Sequence, residues 1–142
     1  MLGCNDGVTV WNRWRNPVTG KDEWVRHVIP VKCKWKTRVD REVSSGGTTN
    51  IANSFVLVVP YTESYRKPQE WDALDVAGKT QFFTLKSGDL AALDAQTAEI
   101  TGVKPNTEAE IKKVLLPDAM TIKMVQDFTR NAQGKHFKVE GV

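Results

Sequence analysis

The sequence predicts a mainly β domain, a small β-barrel or sandwich of about seven strands with one short helix and a long hairpin loop. Three observations lead there. The stretch "VKCKWKTRV" alternates Val31, Cys33, Trp35, Thr37 and Val39 with Lys32, Lys34, Lys36 and Arg38, the period of a strand with one apolar and one cationic face. Similar runs recur between Gly-, Pro- and Asn-rich turns. Only "NTEAEIKKVLL" carries a helical period.

In chain order, "GVTVWNRWRN" alternates as a first strand, and Pro17 and Gly20 mark the turn that follows it. A long run from Trp24 to Val39 reads as the next strand, with Ile29, Val31, Cys33, Trp35 and Val39 inward. Pro30 lacks an amide hydrogen and marks an edge or a bulge there. The polar stretch "DREVSSGGTTN" precedes "IANSFVLVVPY", which is apolar on both faces and so expected to be covered on both. The two runs are expected to pair as a long hairpin with a projecting tip.

Residues 62–80 show no clear period, and one helical turn is expected around Glu70 to Leu74. "TQFFTLKSGDLAAL" reads as a strand, a turn at Ser87-Gly88-Asp89 and a short strand. Thr107 and Glu110 form a capping box for the helix. Ile111, Val114 and Leu115 are its apolar stripe, and Pro117 ends it. "MTIKMVQDF" and "HFKVEGV" form a closing hairpin. The expectation is one domain over residues 1–142, with a helical insertion around 93–117.

A chain of 142 residues with net charge +3 can bury a core, and is far from the strong basicity of a dedicated nucleic-acid binder. No apolar run approaches the roughly 20 residues of a membrane-spanning helix, so no membrane partner is expected. The N-terminus lacks the basic and apolar regions of a secretory signal. Cys4 and Cys33 fit no zinc spacing, and Cys33 reads as a buried hydrophobe.

An enzyme needs a constellation, and none is legible. His27 and His136 stand alone on strands, and no phosphate loop, nucleophile elbow or metalloprotease motif occurs. Asp72, Asp75, Asp89 and Asp94 read as solvated turn carboxylates, with Asp89 a turn former. No enzyme activity, cofactor or metal site is expected.

Five tryptophans are many for this length. Trp35 reads as core. Trp11, Trp14 and Trp24, beside Arg13, read either as packing or as a protein interface, because Trp and Arg concentrate at interface hot spots. Lys32, Lys34, Lys36 and Arg38 read as a solvated row that deters edge aggregation, or as a face turned to DNA or an acidic partner.

The order of these features resembles the head–tail connector proteins of tailed bacteriophages, the head-closure or neck proteins of prophages in Gram-positive bacteria. "VTVWNRWRNPVTGKDEWVRHVIPVKCKW" looks like their first hairpin, and "SFVLVVPY" like their strand with a corner at Val59-Pro60-Tyr61. "FFTLKSGDLAAL" looks like their strand turn, and "MVQDFTRNAQGKHFKVEGV" like their closing hairpin. The likeness covers most of the chain outside residues 62–80 and 93–117.

The resemblance implies a homo-oligomeric ring in the virion, made in the host cytoplasm. Such a ring sits between portal or adaptor and tail proteins and lets double-stranded DNA pass non-specifically. It also implies a channel loop, matched here by Asp40, Arg41, Glu42, Ser45, Gly46, Gly47 and Thr48. The linker at 93–110 and the capped helix depart from the pattern, so stopper, adaptor and tail terminator all stay open. A small nucleic-acid-binding β-barrel is the competing expectation.

Overall fold

The computed structural model describes residues 3–43, 49–130 and 134–142. Seven strands are present: β1 (Val8–Arg15), β2 (Asp22–Val28), β3 (Lys34–Val43), β4 (Thr49–Pro60), β5 (Leu90–Leu93), β6 (Ala119–Asp127) and β7 (His136–Gly141). They make one antiparallel sheet in the order β2-β1-β5-β6-β7-β4-β3. The chain is therefore mainly β, as its alternation predicts. The sheet is open, with β2 and β3 as its edges, and is not a closed barrel.

Its ends are nonetheless tied. The backbones of Asp6 and Cys33 exchange two hydrogen bonds, at 2.9 and 2.7 Å, just before β1 and β3 begin. The Asp6 carboxylate also accepts from the Trp35 amide at 3.0 Å. These contacts account for a correction to the sequence reading. The run from Trp24 to Val39 is two strands on opposite edges, and the chain crosses between them at residues 29–33. Pro30 breaks the ladder, Ile29 donates its amide to the Val8 carbonyl at 2.9 Å, and the Ile29 and Cys33 side chains turn into the core.

One face of the sheet holds the main core. Val8 and Val10 of β1, Phe55, Leu57 and Val59 of β4, Met120 and Ile122 of β6, and Phe137 and Val139 of β7 meet Phe83 and Leu85 from the connection before β5. Each fully buried apolar side chain of this size contributes about 1.5–3 kcal/mol of transfer free energy. Trp35 packs on this core at its edge, with its ring 5.6 Å from that of Phe55.

The other face is covered only over β1, β5 and β6, where Trp11, Leu90, Ala92 and Ala119 pack against Ile100 and Ile111. Residues 93–117 thus cover that face as a lid.

The helices number three among the described residues: α1 (Pro68–Asp72), which overlaps the helical turn expected around Glu70 to Leu74, α2 (Val76–Gln81), which the sequence does not predict, and α3 (Glu108–Leu115). Pro68 starts α1, where its missing amide hydrogen costs nothing. Asp75 caps α2 by accepting from the Gly78 amide at 2.7 Å. Thr107 caps α3, accepting from the Glu110 amide at 3.3 Å and donating to its carboxylate at 2.8 Å. Of the expected stripe on α3, Ile111 is buried but Val114 is 80% exposed, because a helix this short buries little more than one residue per turn. The segment "TQFF" closes α2 and makes a single bridge, Tyr65 to Phe83, in place of the expected strand.

Candidate functional site: the projecting hairpin and the cationic end of the sheet

The β3–β4 hairpin is the longest feature of the chain. Its register runs from Lys34 opposite Val58 to Val43 opposite Thr49. From Phe55 to Pro60, β4 is also paired to β7. Beyond Phe55, among the described residues, β3 and β4 pair only with each other. The six pairs from Arg38–Ser54 to Val43–Thr49 form a two-stranded ribbon that extends the sheet by about 20 Å at a strand's rise per residue. Asp40, Arg41 and Glu42 of the expected channel loop lie on this ribbon, opposite Ala52, Ile51 and Asn50. Ser45, Gly46, Gly47 and Thr48 lie outside the described residues, as do the side chains of Arg38, Asp40, Arg41 and Glu42.

At the ribbon's root, Lys34 and Lys36 of the expected cationic row share one face of β3, as the alternation predicts, whereas Lys32 precedes the strand. Lys36 is exposed and Lys34 half-exposed, on the face opposite Trp35 and Cys33; Lys32, in the crossing before β3, is exposed. The pairing continues this face across the sheet. Lys36, Val56, Glu140 and Met124 form one cross-strand row, and Lys34, Val58, Lys138 and Gln126 the next. Val56 and Val58 are half-buried within these rows. The expectation that β4 is covered on both faces therefore fails in a specific way. The helices pack on β2, β5 and β6, and the second apolar face of β4 lies between long lysine and glutamate stems, which shield apolar surface while keeping their charges in water. Lys138 is paired with Glu140 at 3.5 Å; no ion pair among the described residues engages Lys34 or Lys36.

The expected aromatic interface divides. Trp11 is fully buried under the lid, and its indole donates to the Ala98 carbonyl at 2.9 Å. It belongs to the interior and is withdrawn from the interface. Trp14 and Trp24 stay half-buried, and the Arg13 guanidinium lies 5.8 Å from the Trp24 ring. Arg26 is held at 2.7 Å by Glu99 of the lid.

Around Trp14 the structure gathers residues that lie far apart in the sequence. Asp89 is not a solvated turn residue: its side chain is 1% exposed. It accepts from Asn12 Nδ2 at 2.8 Å, the Arg13 amide at 3.0 Å and Lys86 Nζ at 2.7 Å. Burial pushes its carboxyl above the usual range, against the pull of Lys86. Lys86 also donates to the Arg13 carbonyl and lies 5.1 Å from the Trp71 ring. Lys79 of α2 is 4% exposed. Its ammonium lies 5.0 Å from the Trp14 ring and 5.5 Å from that of Trp71. His27, on β2, accepts no charge easily: burial lowers its pKa, against the opposing effect of the hydrogen bond that Nε2 donates to the Lys79 carbonyl at 2.8 Å.

Together Arg13, Arg15, Lys79 and Lys86 line, with Trp14, a cleft of about 530 Å³ at the end of β1. Nothing local signals this cluster. Its members come from three separate stretches, residues 13–15, Lys79 and Lys86, and only the fold brings them together.

Cys4 and Cys33 are free thiols, and burial pushes that of Cys33 up to about 12. Among the described residues, no group of three His, Cys, Asp or Glu is placed to hold a metal ion, and no helix is long and apolar enough to cross a membrane. No curated protein and no solved structure matches the chain. Residues 3–142 match a family of unknown function, DUF6751, and the chain belongs to that family.

Proposed function

We propose that this DUF6751 member is a non-enzymatic virion protein, a ring-forming head–tail connector of the head-closure, stopper or neck-adaptor kind. It joins portal to tail and lines a channel through which double-stranded DNA passes. The observation that carries the reading is the ribbon from Arg38–Ser54 to Val43–Thr49, which leaves the sheet with no strand on either side among the described residues. A ribbon is stable in isolation only at the margin. In a ring it is supported by its neighbours and reaches toward the axis.

The cationic face at its root supports the same reading. Lys34 and Lys36 sit where the ribbon joins the sheet, and scattered ammonium groups give weak, salt-sensitive phosphate contacts that tolerate sliding. The open edge of β3 and the half-buried Trp14 and Trp24 offer surface for a neighbour to cover.

The test is the mass of the purified full chain by light scattering, alone and mixed with a portal protein from the same genome. A closed oligomer, alone or on the portal, is expected. A strict monomer at high concentration that leaves the portal's mass unchanged refutes the connector reading.

The Lys34, Lys36 and Lys138 face, broken only by Glu140, favours a second reading, a small nucleic-acid-binding β protein. Tight duplex binding by a monomer would select it.

A further inference from the structure

Lys79 is an anomaly of placement. A lysine that is 4% exposed normally has a carboxylate beside it, because a buried charge without a counter-ion is costly. Here the ammonium donates to two backbone carbonyls, Asp72 O at 3.0 Å and Leu74 O, and stands over Trp14 and Trp71. No carboxylate pairs with it among the described residues. An ammonium has three donors, so one N–H is left over, and the charge is offset by two carbonyl dipoles and two indole faces rather than by a counter-ion. Aliphatic packing between two indoles would need only a Leu or a Met. A lysine held there by two carbonyls is oriented, and it lines the open cleft.

The cleft's surroundings define what would complete it. Lys86 is already neutralised by Asp89. Arg13 and Arg15 add positive charge to the lining, and Asp22 and Asp72 line the cleft as well. A nucleic-acid backbone would set successive phosphates against those two carboxylates; a single anionic group would not. The cleft also continues over Trp14 and Lys79 onto a shelf of Pro17, Val18, Leu74 and Val76, flanked by Arg15, Asp72 and Asp75. Val18 is 90% and Val76 64% exposed.

We propose that this cleft receives a peptide segment of a protein partner, with one carboxylate side chain seated on Lys79 and adjacent apolar side chains on the Val18–Val76 shelf. The site is independent of the ring and stands whether or not the chain closes into one.

The indole N–H of Trp14 reports on it directly in ¹H–¹⁵N spectra of the full chain. The probes are acetyl-Leu-Glu-Leu-amide, its Gln counterpart, inorganic phosphate and a short DNA duplex. The Glu peptide is expected to shift the Trp14 signal saturably and the Gln peptide to bind at least roughly tenfold more weakly, the factor that corresponds to about 1.4 kcal/mol. Lys79→Met is expected to abolish the difference between the two peptides. Should that variant fail to fold, the exposed Arg15→Glu serves instead and is expected to weaken the Glu peptide selectively. Equal binding of both peptides, saturation by phosphate or duplex alone, or no shift with any probe overturns the assignment.

Discussion

Asp89→Ala should be among the most damaging substitutions in this chain. The carboxylate is the meeting point of Asn12, the Arg13 amide and Lys86, at 2.8, 3.0 and 2.7 Å. Its removal leaves the Lys86 ammonium, whose side chain is 20% exposed, with a carbonyl but no counter-ion. It also leaves the Arg13 amide without its acceptor and takes one of the two acceptors of the buried Asn12 Nδ2, which keeps the Thr84 carbonyl at 2.7 Å. Losing one partner of a buried ion pair costs about 3–5 kcal/mol. Each orphaned neutral donor adds about 1–3 kcal/mol, though the terms overlap because all three bonds share one group. A loss of about 4 kcal/mol is expected, read as a drop in denaturation midpoint at unchanged slope in urea.

The pH dependence is a separate signature. Burial raises the Asp89 carboxyl above its ordinary value of 3.8, so the folded state binds more protons than the unfolded one in the acid range. The stability Asp89 contributes by protonation is full below the ordinary value and is lost as pH rises through the folded one. Asp89→Asn should remove that falling slope. A loss below about 1 kcal/mol for Asp89→Ala, against the 3–5 kcal/mol of a broken buried pair, would refute the account of the network.

His27 titrates with the opposite sense. Its pKa lies below 6.5 because burial disfavours the cation. It therefore contributes stability above that value that is lost as pH falls through the folded pKa, and His27→Gln should flatten this limb of the pH–stability curve. Gly141→Ala should destabilise by about 2–3 kcal/mol, measured by urea unfolding, since a Cβ there would sit 2.3 Å from the Thr121 carbonyl oxygen on β6. Thr107→Ala should cost about 1 kcal/mol, the worth of a side-chain cap on α3. Reversing Lys34 and Lys36 to Glu should leave the melting temperature nearly unchanged. In a salt titration of duplex binding, the same change should lower the magnitude of the log–log slope by roughly one for each phosphate no longer engaged.

What is legible in the sequence is what is local. The alternation of β1, the hairpin between the runs ending at Val39 and starting at Ile51, and the Thr107–Glu110 cap are set near in the chain and stand in the structure, though the ladder runs on past Val39 to Val43–Thr49, into the stretch expected as the tip. What is not legible depends on distant partners. Trp11 beside Arg13 looks like an interface pair until Ile100 and Ile111 are placed over it. Asp89 after Gly88 looks like any turn carboxylate, and its partner Asn12 lies 77 residues away. Pro30 marks an interruption in the strand pattern. That it sends the chain from one sheet edge to the other follows only once Asp6 is known to bridge Cys33. The two helices at 68–81 lack an apolar period because each is about one turn long and buries a single side chain, Trp71 or Lys79.

The central claim is that β3 and β4 project from a ring subunit toward a DNA channel. Cryo-electron microscopy of the neck of the assembled particle tests it most directly. The account predicts a ring of this chain between portal and tail, with the ribbon tips converging on the axis. A neck without this chain, or ribbons that point away from the axis, would contradict it.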